Sequence, residues 1–238
     1  MASQFGILSK LEFLQGWASR LIAGINPAVI HNVEKYYVLK KVHYLSAIED
    51  VAGDYLEFGV FTGSSFCHSI RCSKKLSYLN PSVLKTRFFG FDSFSGFGEV
   101  SDEDQHSFYT DENFDTDFNK VNLRVLKVAK NTSFELVPGY FSDSLSSGPS
   151  RFGIEKARII FVDSDTYSSS SEALIFCETI VQLGTFIILD DYYSYKGSSS
   201  KGVAKAFDEF IDKTGISVRR VFTYGMGGAV FVVSEFKL

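Results

Sequence analysis

Ile159-Ile160-Phe161-Val162, closed by Asp163, is the segment that most restricts the fold. A strand wetted on one face alternates apolar and polar residues. A continuous apolar run suits a strand covered by helices on both faces, as in a parallel sheet. Further strand-like segments lie at Leu56–Val60, Arg87–Phe91, Ser133–Val137 and Thr185–Leu189. Helical spacing of apolar residues fills the intervals, over about 63–75, 115–130, 167–183 and 200–213. This alternation predicts an α/β fold with a doubly wound sheet. The close differs: Val218–Tyr224, a Gly225-Met226-Gly227-Gly228 turn, then Ala229–Val233 reads as a hairpin. The sheet is therefore expected to have seven strands, mostly parallel, with an antiparallel last strand.

The 238 residues suit one such domain with some decoration. Residues 1–50 read as a helical extension serving as a lid or a dimerisation element, and 51–238 as the main domain. Within the extension, Ile7, Leu8, Leu11, Phe13, Leu14, Trp17 and Leu21 give a broad apolar face over 5–23. Such a face needs a cover, from the domain itself or from a second copy in a homo-oligomer, a dimer in the simplest case. Asn26-Pro27 breaks that helix, and another is expected from His31 to Asp50. His31 and His43 read as surface or capping residues. Residues 95–114 form an acidic, aromatic insertion, long for a plain connection and expected to act as a lid.

A net charge of −4 without a long basic run argues against a nucleic-acid partner. No stretch reaches the ~18–20 apolar residues that span a bilayer, so no membrane segment is expected. Cys67, Cys72 and Cys177 are odd in number and lack metal-site spacing, which points to reduced thiols and a cytoplasmic setting. No secretory leader is legible at the N-terminus. The 24 Phe and 12 Tyr fit a Phe-rich core or, in part, an aromatic-lined pocket.

Chemistry is expected where the strands end. After Glu57 and Phe58, the turn carries Gly59 and Gly63 and leads into Ser64-Ser65 at a helix start. Glycine lets a ligand approach the backbone, and helix N-terminal amides face the same space. Glu57 stands where a carboxylate can face the crevice of an α/β sheet. Asp92 closes the second strand, 35 residues on, where a carboxylate can accept both hydroxyls of a ribose. Asp163-Ser164-Asp165 and Asp190-Asp191 close the fourth and fifth strands on the same rim. Acids gathered on one rim repel unless a proton or a cation is shared. A hard divalent ion such as Mg²⁺ is the simplest remedy.

The blocks Leu56-Glu57-Phe58-Gly59-Val60, Gly90-Phe91-Asp92-Ser93-Phe94-Ser95-Gly96, Gly139-Tyr140-Phe141-Ser142-Asp143, Val162-Asp163-Ser164-Asp165-Thr166-Tyr167 and Leu189-Asp190-Asp191-Tyr192 occur in this order. Together they resemble the macrocin O-methyltransferase family, whose members methylate sugar hydroxyls, over about residues 50–235. The resemblance implies a Rossmann-like class I methyltransferase fold, S-adenosylmethionine and Mg²⁺. By that resemblance Glu57, Phe58, Gly59, Gly63, Ser64, Ser65, Asp92 and Ser93 hold the methionine and ribose parts. Gly139, Tyr140 and Phe141 lie near the adenine, Asp163 also borders the cofactor, and Asp163, Asp190 and Asp191 ligate the metal. Asp165 positions substrate or a metal-bound water. Asp163 and His106 are both candidates for the proton acceptor. Two rival readings are a metal-dependent nucleotide-sugar glycosyltransferase of the Asp-x-Asp type and a non-catalytic methyltransferase-like assembly module.

Overall fold

Seven strands form one sheet in the order β3-β2-β1-β4-β5-β7-β6. The structure is a computed structural model, and it describes residues 11–98, 100–102, 104–106, 109 and 114–237. The strands are β1 Asp54–Phe58, β2 Phe88–Asp92, β3 Phe134–Pro138, β4 Ala157–Val162, β5 Phe186–Leu189, β6 Ile216–Tyr224 and β7 Gly228–Phe236. The first five are mutually parallel, and β7 runs antiparallel between β5 and β6. The expected class and the antiparallel close are both present.

The helices are α1 Glu12–Ala23, α2 Pro27–Ile48, α3 Ser64–Leu76, α4 Phe118–Ala129, α5 Tyr167–Cys177 and α6 Gly202–Thr214. Period-2 alternation along each strand sends its side chains to two separate cores. Tyr55, Phe88, Ile159, Phe161 and Ile188 pack with α2, α3 and α4. Leu56, Phe58, Phe91, Ile160, Val162 and Leu189 pack with α5 and α6. The Phe-rich core is real: Phe58 stacks on Phe91, and Phe176 meets both edge-on. Each fully buried Phe contributes roughly 1.5–3 kcal/mol of burial free energy.

Several sequence expectations shift. Asn26-Pro27 begins α2 rather than merely ending the preceding helix: Asn26 Oδ1 accepts from the Ala28 amide at 2.9 Å, and proline occupies a first-turn position where its missing N–H costs nothing. The second helix thus starts four residues earlier than expected. The helix expected over 167–183 stops at Cys177. His43 is not a surface residue. It is buried and stacks against Tyr55 and Phe88, and burial holds its imidazole neutral. Ile7 and Leu8 of the expected apolar face, and parts of the 95–114 insertion, lie outside the described residues. Of the described part of that face, Leu11 is half-buried and Phe13, Leu14, Trp17 and Leu21 are exposed, and α1 buries no residue. Among the described residues, no helix is long and apolar enough to cross a membrane.

Candidate active site

Parallel strands ending in register build the floor of the site. Phe58 pairs with Val162, and Val162 with Leu189. The residues that follow, Gly59, Asp163 and Asp190, therefore meet on one rim. Contact there is close: a Cβ on Gly59 would lie 1.8 Å from the Asp163 carbonyl oxygen, and its φ is +92°. Only glycine fits. Above this rim lies a cavity of about 840 Å³, in the usual range for a ligand site.

The cavity lining includes Gly59, Phe61, Asp92, Ser93, Tyr140 and Phe141. Asp92 shapes it. Oδ2 accepts from the Val60 and Phe61 amides at 2.7 Å each, and Oδ1 accepts from Phe94 at 2.6 Å. Burial pushes this carboxyl upward against those three amides, which favour its charge.

The lining also holds a group of acids. Carboxylate oxygens of Asp163, Asp190 and Asp191 lie within 4.8 Å of one another. Asp190 is almost fully engaged. The Tyr224 hydroxyl donates to Oδ1 at 2.6 Å, while the Lys35 ammonium, at 2.7 Å, and His31 Nε2, at 3.0 Å, share Oδ2. Lys35 also reaches Asp163 Oδ2 at 2.9 Å. His31 Nδ1 accepts the Met226 amide at 3.1 Å, which leaves Nε2 as the donor to Asp190. Burial would raise Asp190, but Lys35 and then His31 overcome it and hold the carboxyl well below the usual range. Asp163 and Asp165 move the other way. Burial lifts both well above the ordinary carboxylate range, with Asp190 adding to Asp163 and Asp191 adding to Asp165. Burial opposes the charge on Lys35, yet the two carboxylates it bridges raise its pKa. The cluster is therefore short of positive charge even with Lys35 present. Three converging oxygens and acids driven toward protonation suit a hard divalent cation.

Two described residues of the 95–114 stretch, Asp104 and Tyr109, reach the neighbourhood of these acids. Asp104 is buried, and its carboxylate accepts from the Tyr167 amide at 2.7 Å, the Ser168 amide at 3.3 Å and the Ser168 hydroxyl at 2.5 Å. It thereby ties the insertion to the N-terminus of α5, where unsatisfied amides and the helix dipole favour a negative charge. Tyr195 donates its hydroxyl to the Asp104 carbonyl at 3.0 Å. Tyr109 of the insertion donates to Asp191 Oδ1 at 2.9 Å, and Ser194 donates to the same oxygen at 3.1 Å.

Of the residues singled out from sequence, Gly59, Asp92, Ser93, Tyr140, Phe141, Asp163, Asp165, Asp190 and Asp191 line the cavity. Glu57, Phe58, Gly63, Ser64, Ser65 and Gly139 do not. Phe58 is core, its ring against Phe91. Glu57 is fully buried and turned inward, accepting from Tyr55 Oη at 2.5 Å and Ser65 Oγ at 2.6 Å. It fastens α3 to β1 instead of facing the crevice. Gly63, at φ +74°, permits the turn into α3. His106 does not line the cavity either; its ring stacks on Tyr109, 4.4 Å between centroids, and meets Tyr195 edge-on. His31, expected at the surface, lies in the site. Lys35, Tyr109, Asp104 and Tyr224 were not anticipated. One signal was available: His31 and Lys35 extend the 38-42-45 apolar stripe of α2 by helical spacing, so two polar residues stand on an inward face.

The sheet order, with an acid-lined crevice at the carboxyl ends of its strands, gives this chain the fold of the class I methyltransferases. The family model described as Macrocin-O-methyltransferase (TylF) matches residues 35–221, and the chain belongs to that family. It is an O-methyltransferase. A curated relative is the mycinamicin III 3''-O-methyltransferase of Micromonospora griseorubida, 26% identical over 225 residues, which are 89% of this chain and 82% of that one. Among solved structures, the O-methyltransferase NovP superposes with a TM-score of 0.66 at 20% identity, covering 84% of this chain and 79% of its own. The calicheamicin methyltransferase CalS11 gives 0.59 at 16% identity, over 81% and 76%. An O-methyltransferase from Bacillus cereus, solved in complex with SAH, gives 0.53 at 18% identity, over 94% and 89%. These superpositions speak to the fold. Family membership sets aside both the glycosyltransferase reading and the non-catalytic one.

Proposed function

We propose that this chain transfers a methyl group from S-adenosylmethionine to a hydroxyl of a sugar, glycoside or related polyol, with Mg²⁺ as a cofactor. The observation that carries the reading is the meeting of Asp163, Asp190 and Asp191 within 4.8 Å in the cavity lining. The sugar-modifying relative supports the acceptor class. Gly59, Asp92, Ser93, Tyr140 and Phe141 would hold S-adenosylmethionine, and Asp163, Asp190 and Asp191 would hold the metal, which would supply a Lewis acid that lowers the pKa of an acceptor hydroxyl.

Transfer is an in-line displacement. The acceptor oxygen forms the new C–O bond as the C–S bond breaks, and its electron pair returns to sulfur, giving S-adenosylhomocysteine. The sulfonium is already activated, so the protein chiefly aligns the two partners. The hydroxyl proton passes to Asp163, whose carboxylate lines the cavity, while Asp165 positions the acceptor. His106 lies away from the cavity and is not the acceptor in this reading. Tyr109 and Asp104 hold the insertion over the site and exclude water. Reduced Cys67, Cys72 and Cys177 agree with a cytoplasmic enzyme, and the exposed face of α1 suits a second copy of the chain.

The test is Asp191→Asn. Calorimetry should show S-adenosylhomocysteine binding within a few-fold of wild type, while turnover on a glycoside panel falls at least a hundredfold. Wild-type turnover by this variant in chelator-treated buffer would overturn the metal-assisted reading.

A further inference from the structure

The acid cluster already contains a cation that belongs to the chain. Lys35 comes from α2, outside the sheet, and its ammonium lies 2.9 Å from Asp163 Oδ2 and 2.7 Å from Asp190 Oδ2. Its side chain is only 10% exposed. These are two of the three carboxylates assigned above to the metal. Mg²⁺ draws carboxylate oxygens to about 2.0–2.1 Å. An ion taking the same two oxygens would meet the ammonium at van der Waals range, where two positive charges in a partly buried site repel strongly. The remaining oxygen of Asp190 gives no easy way round, because it accepts from Tyr224 at 2.6 Å. His31 adds a further donor on the contested oxygen.

We propose that Lys35 is a resident counter-cation which a divalent ion must displace, so that Lys35 sets the metal affinity of the site and holds Asp163 and Asp190 together when no metal is bound. The inference rests on the metal reading given above. With Lys35 in place the acids keep their positions without a metal, and α2 stays docked on the face of the sheet. When the ion arrives, the ammonium leaves the carboxylates, and Asp163 and Asp190 turn from partners of a lysine into ligands beside Asp191.

Two measurements test this. Calorimetric titration of Mn²⁺ into the full chain compares wild type with Lys35→Gln and Lys35→Arg. Lys35→Gln should bind at least tenfold more tightly, while Lys35→Arg, which keeps the charge, should stay within threefold of wild type. Equal Mn²⁺ affinity in wild type and Lys35→Gln, or weaker binding in Lys35→Gln, overturns the proposal while leaving the metal reading intact. Binding by neither protein overturns both. The second measurement needs no variant, so it survives any folding defect of Lys35→Gln. Acetic anhydride labelling of the wild-type lysines, read by mass spectrometry, should show Lys35 protected without metal and labelled at least fivefold faster in saturating Mn²⁺. Labelling of Lys35 that ignores the metal overturns displacement.

Discussion

Replacing Asp104 by alanine would test whether the insertion is held down by one buried carboxylate. The wild-type side chain is 1% exposed and satisfies two backbone amides at the start of α5 together with the Ser168 hydroxyl. Loss of a capping side chain costs about 0.5–2 kcal/mol, and hydrogen bonds to a charged group contribute about 1.5–3 kcal/mol each when counted singly. The contacts share one carboxylate and water partly replaces them, so about 2 kcal/mol is the expected loss for insertion docking. That is roughly a 30-fold shift in the docked population. The sheet and both cores are untouched, so the melting temperature should fall by only a few degrees. Limited proteolysis within residues 95–114 should accelerate by about the same factor, and KM for the acceptor should rise, because Tyr109 is no longer delivered to Asp191. Asp104→Asn keeps one acceptor oxygen but turns an NH₂ toward a donor, so it should fall between the two. Unchanged cleavage and unchanged KM in Asp104→Ala would show that other contacts hold the insertion and would refute the reasoning.

Two further perturbations bear on the frame of the site. Burial raises Glu57 from 4.5 to about 7 despite hydrogen bonds from Ser65 and Tyr55. The folded chain therefore keeps a proton that the unfolded chain loses near pH 4.5. The stability this gives is complete below 4.5 and is lost as pH rises to about 7. The gap of about 2.5 pH units, at about 1.4 kcal/mol each, amounts to about 3–4 kcal/mol. Urea unfolding at pH 5 and pH 8 should therefore show wild type losing ground to Glu57→Gln at the higher pH, and parallel profiles would count against it. Gly59→Ala would drive a methyl group into the Asp163 carbonyl at a φ of +92°, so melting should fall by several degrees and S-adenosylhomocysteine binding should be lost. Near-normal calorimetry on that variant would mean the rim is more yielding than its geometry implies.

The sheet was legible because its information is local. Each strand is a short apolar run, and Asp163 and Asp190 follow such runs directly, so parallel register alone brings them together. What escaped was tertiary. Lys35 meets Asp163 across 128 positions, and His31 meets Asp190 across 159. No spacing rule joins residues that far apart. Glu57 was placed on the right strand but given the wrong outlook: Tyr55, two residues earlier and on the same face, and Ser65 in the next helix claim its carboxylate. His106 misled for a related reason. A lone histidine in a polar insertion invites a catalytic role, whereas aromatic neighbours from two segments hold its ring.

The long second helix carries a consequence for engineering. Because His31 and Lys35 ride on it, exchanging N-terminal segments between relatives would swap electrostatic partners of the carboxylates along with whatever recognises the acceptor. A chimera designed only to broaden substrate range would thus leave Asp163 and Asp190 with different counter-charges. Its designer would need to carry those two side chains across the splice.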